Sequence, residues 1–216
     1  MATTVEASQI TGEERFLLTD ISWDFYRRFC EELDGRRVRL TYDRGKLEIM
    51  ITKRPHEFYK TLLAKLVEQL VLELNLPVSS GGSMTFQRED LQRGIEPDEC
   101  WWLAHEAQIR GLRELDLGRD PPPDLAVEVE ITSSLLDRVS VYAAMRVPEI
   151  WRFDGSNLRF CVLQEDGAYR DEERSAAFPF LKPEHLMPYL QIDDAKDETT
   201  RIREFVQWLR GQDFAR

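Results

Sequence analysis

The run Leu125-Ala126-Val127-Glu128-Val129-Glu130-Ile131 sets acids into an otherwise apolar stretch. Alternate side chains share a face in a strand. Leu125, Val127, Val129 and Ile131 therefore make one wholly apolar face, and Ala126, Glu128 and Glu130 the other. Acids two apart on a strand lie about 7 Å from each other. Burying an unpaired carboxylate costs several kcal/mol, so acids on a core strand call for a partner or a metal ion. The competing reading is a half-exposed strand with solvated glutamates. Asp98 stands in a similar setting, before the aromatic run Cys100-Trp101-Trp102 and on one face with Cys100 and Trp102; a turn or bulge residue is the alternative. Glu48 is a third acid, on a strand with Lys46 and Met50 on its face, where a solvated position is the stronger reading.

Mg²⁺ takes hard oxygen ligands, commonly one or two carboxylates completed by water and phosphate oxygens. Bound to such acids it polarises a phosphate and lowers the pKa of water, so the acids define a candidate metal site. His56 follows Pro55 at a helix start, where backbone N–H groups favour anions. Two roles stay open for it: contact with a phosphate or water in a pocket, or a capping or surface position. Lys53 and Arg54 form the nearest basic pair, with a solvated surface as the rival reading. Trp101 and Trp102 have the rings to stack on bases, although core packing is expected for at least one.

These residues need elements to position them. Ser22 is a plausible N-cap for a helix over 23–33, ended by Asp34-Gly35. Val38–Tyr42 and Lys46–Ile51 alternate around Asp43-Arg44-Gly45, the pattern of a hairpin. From Pro55, Phe58, Leu62, Leu66, Leu70 and Leu74 recur every four residues, which predicts a long helix closed by Pro77. Short strands are expected over 83–88 and 96–103. Leu125–Ile131 is the most strand-like run. A helix is expected from Ser133 or Ser134 to about Arg146, then strands over 147–153, 157–163 and 168–171 and an amphipathic helix through Ile202, Phe205, Val206 and Leu209. The expected architecture is mixed α/β around one central sheet flanked by helices, with an added N-terminal hairpin and C-terminal helix, as a single domain over 1–216.

The chain has 216 residues and a net charge of −11, from 40 acidic and 29 basic residues. That argues against a protein gripping DNA with its whole surface, since phosphate neutralisation dominates nonspecific affinity. A local basic patch or a metal in an acidic pocket reverses the field where it matters. The three cysteines, Cys30, Cys100 and Cys161, have no metal-ligand spacing and are expected as free thiols. With no long apolar run and no signal-like N-terminus, a cytoplasmic protein without membrane association is expected.

At these residues the sequence resembles the Uma2 family of restriction endonucleases, also known as DUF820, within the PD-(D/E)xK nuclease superfamily. The matching features are Gly45-Lys46-Leu47-Glu48-Ile49-Met50, Pro55-His56, Glu96-Pro97-Asp98, Pro123-Asp124-Leu125-Ala126-Val127-Glu128-Val129, Tyr142 and Val147-Pro148-Glu149-Ile150-Trp151, in the family's order across roughly 35–155.

The resemblance implies a restriction-endonuclease-like fold and a Mg²⁺-dependent endodeoxyribonuclease, with Mn²⁺ able to substitute. Asp98 is then the bridging metal ligand, Glu128 the second and the Val129 backbone carbonyl the third. Glu130 occupies the place where the superfamily usually has lysine, and serves as general base or ligand. Arg138 takes the helix position where many members carry a lysine; arginine binds phosphate but is a poor proton acceptor. Lys53, His56 and Glu48 remain pocket or phosphate contacts. DNA is the implied substrate, and a homodimer suits cleavage of two strands, with Trp208 a candidate interface residue. The rival function is a catalytically weak or inactive nuclease-fold module that binds nucleic acid or a protein.

Overall fold

The computed structural model describes residues 6–10, 13–33, 36–191 and 195–212. Their strands form two six-stranded sheets. The first has the order β1 (Glu6–Ile10), β2 (Glu13–Leu18), β4 (Lys46–Thr52), β3 (Val38–Asp43), β7 (Arg93–Ile95) and β6 (Phe86–Arg88), antiparallel throughout. The expected hairpin supplies its β3–β4 pair. Helix α1 (Trp23–Leu33) packs Trp23 and Tyr26 onto Leu40, Tyr42 and Leu47. Ser22 caps it, its Oγ accepting from the Phe25 N–H at 3.2 Å. The expected stop, Asp34-Gly35, lies outside the described residues. Tyr26 stacks on Tyr42 with ring centroids 4.8 Å apart. Gly94 on β7 makes this possible, since a Cβ there would meet the Tyr26 hydroxyl at 2.0 Å.

Helix α2 (Arg54–Glu73) carries the chain to the second sheet, whose order is β12 (Tyr169–Glu172), β11 (Leu158–Leu163), β10 (Glu149–Phe153), β9 (Leu125–Val129), β8 (Glu99–Trp102) and β5 (Ser79–Ser80). Strands β9 and β10 are parallel and the other pairings antiparallel. The mixed α/β class and the central mixed sheet agree with the sequence pattern. The strands that read as one sheet divide in two because those up to Thr52 pair with one another and recruit the later β7–β6 hairpin, while β5 and the strands from β8 onward pair among themselves.

On one face of the second sheet, Leu62, Leu63, Leu66, Val67 and Leu70 of α2 pack against Leu125, Val127, Val129, Trp151 and Phe153. Helices α5 (Pro183–Leu190) and α6 (Glu198–Arg210) join them through Leu186, Leu190, Phe205 and Leu209. Truncating a fully buried leucine here, such as Leu66→Ala, should cost about 2–5 kcal/mol. Helix α2 ends before Pro77: Asn75 turns left-handed (φ 53°), and Asn75 and Leu76 donate backwards to the carbonyls of Leu72 and Val71 at 3.2 and 3.0 Å.

On the other face Ala126, Cys100, Trp102 and Ile150 meet Val141, Tyr142 and Met145 of α4 (Arg138–Met145). All five residues of β9 are consequently buried. Trp101 and Trp102 are both core residues, 1% exposed each, so neither offers a ring to a base. Trp208 is half-buried, stacked on Phe205 and beside His185, which removes it as an exposed interface aromatic. The three cysteines are free thiols. Among the described residues no helix is long and apolar enough to cross a membrane.

Candidate active site

The β8–β9 ladder pairs Glu99 with Val127. One step further on, the same register brings Asp98 opposite Glu128, at the seam between the two sheets. Asp98 is fully buried. Its Oδ2 accepts from the Val129 N–H at 2.8 Å and lies 3.1 Å from His56 Nε2, while its Oδ1 is buried with no hydrogen-bond partner. Asp98 is therefore more than a turn residue. His56, also fully buried, does not cap α2; the position before that helix is Lys53, which makes no capping bond. Burial lowers the His56 pKa to about 4. The imidazole is neutral at neutral pH, and its Nε2 shares a hydrogen bond with Asp98.

Glu128 is 2% exposed, which removes the solvated reading of its face. Its Oε1 accepts from the Tyr142 hydroxyl and from the Arg138 guanidinium, the latter at 2.5 Å. Neither contact uses Oε2. Arg138 also donates to Thr41 Oγ1 and, at 3.0 Å, to the Glu96 carbonyl. Burial raises the pKa of both acids. For Glu128 the Arg138 charge opposes that rise and the Asp98 charge adds to it. Both carboxyl groups thus hold their protons more tightly than they would in water.

Glu48 is 1% exposed, against the expectation of a solvated position. The reason is the first sheet: its Glu48 face turns inward onto the segment after β9. Arg15 on β2 donates to Glu48 at 2.7 Å, and Ser134 Oγ and the backbone N–H groups of Leu135 and Leu136 converge on the same carboxylate. Helix α4 accordingly begins at Arg138, capped by Asp137, and not at Ser133 or Ser134, whose neighbours give their N–H groups to Glu48. Glu13 completes the arrangement. It pairs with Arg15 at 2.8 Å and accepts from the N–H groups of Ile131 and Thr132, both at 3.2 Å.

The fold thus brings Asp98, His56, Glu128, Arg138 and the Val129 backbone together, with Glu48 bracing the loop beside them. Glu130, just past the end of β9, is half-buried and paired with Arg152 at 2.6 Å. Lys53 is 41% exposed and paired with Glu14 at 2.9 Å, so it joins no basic patch over the carboxylates. Arg138 is 3% exposed and spends its charge on Glu128, which is not the posture of a free phosphate binder. Sequence reasoning missed the parts of Tyr142, Thr41, Arg15 and Glu13. Tyr142 had a signal, four residues after Arg138 and so on its helix face. Glu13 and Arg15 had only their i, i+2 spacing on an unrecognised strand.

The sequence matches the model of the Uma2 family, described as "Putative restriction endonuclease", over residues 23–195. The chain belongs to that family. No curated protein matches it. Its structure is similar to that of "a putative nuclease belonging to DUF820" from Anabaena variabilis ATCC 29413, with a TM-score of 0.53 and 13% identity over 79% of this chain and 99% of the other. At that identity the likeness speaks for the fold.

Proposed function

We propose that the protein is a divalent-cation-dependent nuclease that hydrolyses DNA phosphodiester bonds at Asp98 and Glu128. The observation that carries this reading is the facing pair itself, two buried carboxyl groups. Asp98 has an oxygen without a partner among the described residues, and Glu128 takes both its hydrogen bonds from Arg138 and Tyr142 on one oxygen. These residues fit a hard cation of the Mg²⁺ or Mn²⁺ kind, which needs only one or two carboxylates. No group of three or more His, Cys, Asp or Glu side chains is gathered for a metal among the described residues, so the donor set differs from that of a closed zinc site.

In this reading Asp98 and Glu128 hold the ion, with the Val129 carbonyl as a further oxygen. When bound, it supplies positive charge beside the phosphate and acidifies water. His56 and the Val129 N–H fix the Asp98 carboxylate, while Tyr142 and Arg138 fix that of Glu128. Arg138 would remain the protein's own counter-charge to Glu128 beside such an ion. Glu130, oriented by Arg152, accepts the proton of the attacking water.

The test is plasmid nicking by wild type and Glu128→Gln with Mg²⁺, Mn²⁺ or EDTA. Metal-dependent nicking that the variant loses supports the proposal; nicking that survives in the variant or in EDTA removes it. One observation favours the rival, a nuclease-fold binding module: Arg138 already neutralises Glu128. Calorimetric Mn²⁺ binding without cleavage of single- or double-stranded DNA would favour that module.

A further inference from the structure

The cations around the carboxylates are largely spent. Arg138 is held by Glu128, Arg15 by Glu13 and Glu48, Arg152 by Glu130, and Lys60 stands 3.5 Å from Glu99. Arg39 is different. It makes no ion pair among the described residues, and its hydrogen bond to the Val38 carbonyl is long, at 3.4 Å. Its Nε is buried without a partner.

Strand β3 fixes where this side chain belongs. Arg39 pairs with Met50 and Thr41 with Glu48 across β3–β4, so Arg39 and Thr41 share the face that carries Glu48. Thr41 touches Arg138. The β3–β7 ladder pairs Thr41 with Ile95, and the Glu96 N–H continues it to the Leu40 carbonyl at 3.3 Å. Carried one residue further, that register would bring Arg39 to Pro97, the neighbour of Asp98. Burial raises the carboxyl pKa of Asp98 and Glu96, and the Arg39 charge works against that rise in both. Arg36 and Arg37 precede it at the exposed start of the strand, again without an ion pair among the described residues.

We infer that Arg39 is the phosphate-binding residue of the site, and that Arg36 and Arg37 continue it outward as the track for a nucleic-acid backbone. This rests on the nuclease reading above and adds how the substrate is held. A guanidinium without a carboxylate partner among the described residues is suited to phosphate oxygens. In a chain of net charge −11, such a cluster gives a polyanion a local point of entry.

The experiment measures binding of fluorescent duplex and single-stranded DNA, with Ca²⁺ in place of Mg²⁺, across a salt series. The proteins are wild type, Arg39→Gln, Arg39→Lys and Arg36→Ala/Arg37→Ala, with Mn²⁺ calorimetry and melting curves alongside. Arg39→Gln should lose about tenfold in affinity at low salt and about one unit of the log–log salt slope on duplex. Its Mn²⁺ binding should not weaken, and Arg39→Lys should keep the slope. Wild-type affinity and slope in a folded Arg39→Gln overturn the assignment and leave the nuclease reading standing. A wild type that binds neither DNA form at low salt overturns both.

Discussion

His56 and Asp98 share a hydrogen bond of 3.1 Å in which the imidazole is neutral and both side chains are withdrawn from water. Removing the histidine leaves Asp98 with the Val129 N–H as its hydrogen-bond donor. His56→Ala should lose about 1–3 kcal/mol of stability and weaken Mn²⁺ binding, because the carboxylate is no longer held toward Glu128. Urea titration and calorimetry on the same preparation check this. Unchanged Mn²⁺ affinity would show that the bond braces the fold only.

Asp98 has its folded-state pKa raised by burial. The folded protein therefore holds that proton more tightly than the unfolded chain, whose aspartate titrates near 3.9. Ionisation destabilises the fold as pH rises from about 4 to the raised folded value, by up to about 1.4 kcal/mol per pH unit. Asp98→Asn, in EDTA, should be more stable than wild type near pH 8 and lose that advantage near pH 4. A variant no more stable at the alkaline end would contradict the burial argument.

Arg15 binds Glu13 and Glu48 inside the protein, with all three side chains at most 1% exposed. Arg15→Met leaves two buried carboxylates short of a countercharge. A loss of about 3–5 kcal/mol is expected, read from the urea midpoint. Glu48→Gln keeps acceptor and shape and should lose clearly less; equal losses would mean that charge pairing is not what holds this corner.

Gly94 lets Tyr26 lie against the first sheet. Gly94→Ala must push that ring off Tyr42 or bend β7, and should cost about 1–3 kcal/mol. Thermal unfolding of the variant decides it, and a melting temperature equal to wild type would refute the close approach.

The candidate site residues were more legible in the sequence than the contacts that bury them. Alternation exposed Glu128 on a core strand, and the four-residue leucine repeat of α2 was unambiguous. Glu48 was expected in solvent because its burial comes from Arg15 and the 134–136 segment, distant partners that no local period encodes. The burial of Arg138 against Thr41 and Glu96 was equally hidden. The Ser134 start of α4 failed for the same reason: a distant carboxylate outcompeted the helix for the N–H groups of Leu135 and Leu136. Strand β2 carries too few apolar residues to announce itself, and its Glu13 and Arg15 look like surface residues until their partners are known.

The two sheets meet through bonds that span long stretches of chain: Glu48 to Leu135 is 87 residues apart, Thr41 to Arg138 is 97 and Glu13 to Thr132 is 119. Contacts of such separation form late, after the shorter loops have closed. Until the seam closes, Arg138 lacks Thr41 and the loop over 134–136 lacks Glu48, even where β8 and β9 have already paired. Closing the seam is thus the step that completes the surroundings of Glu128, which ties the finished candidate site to the finished fold.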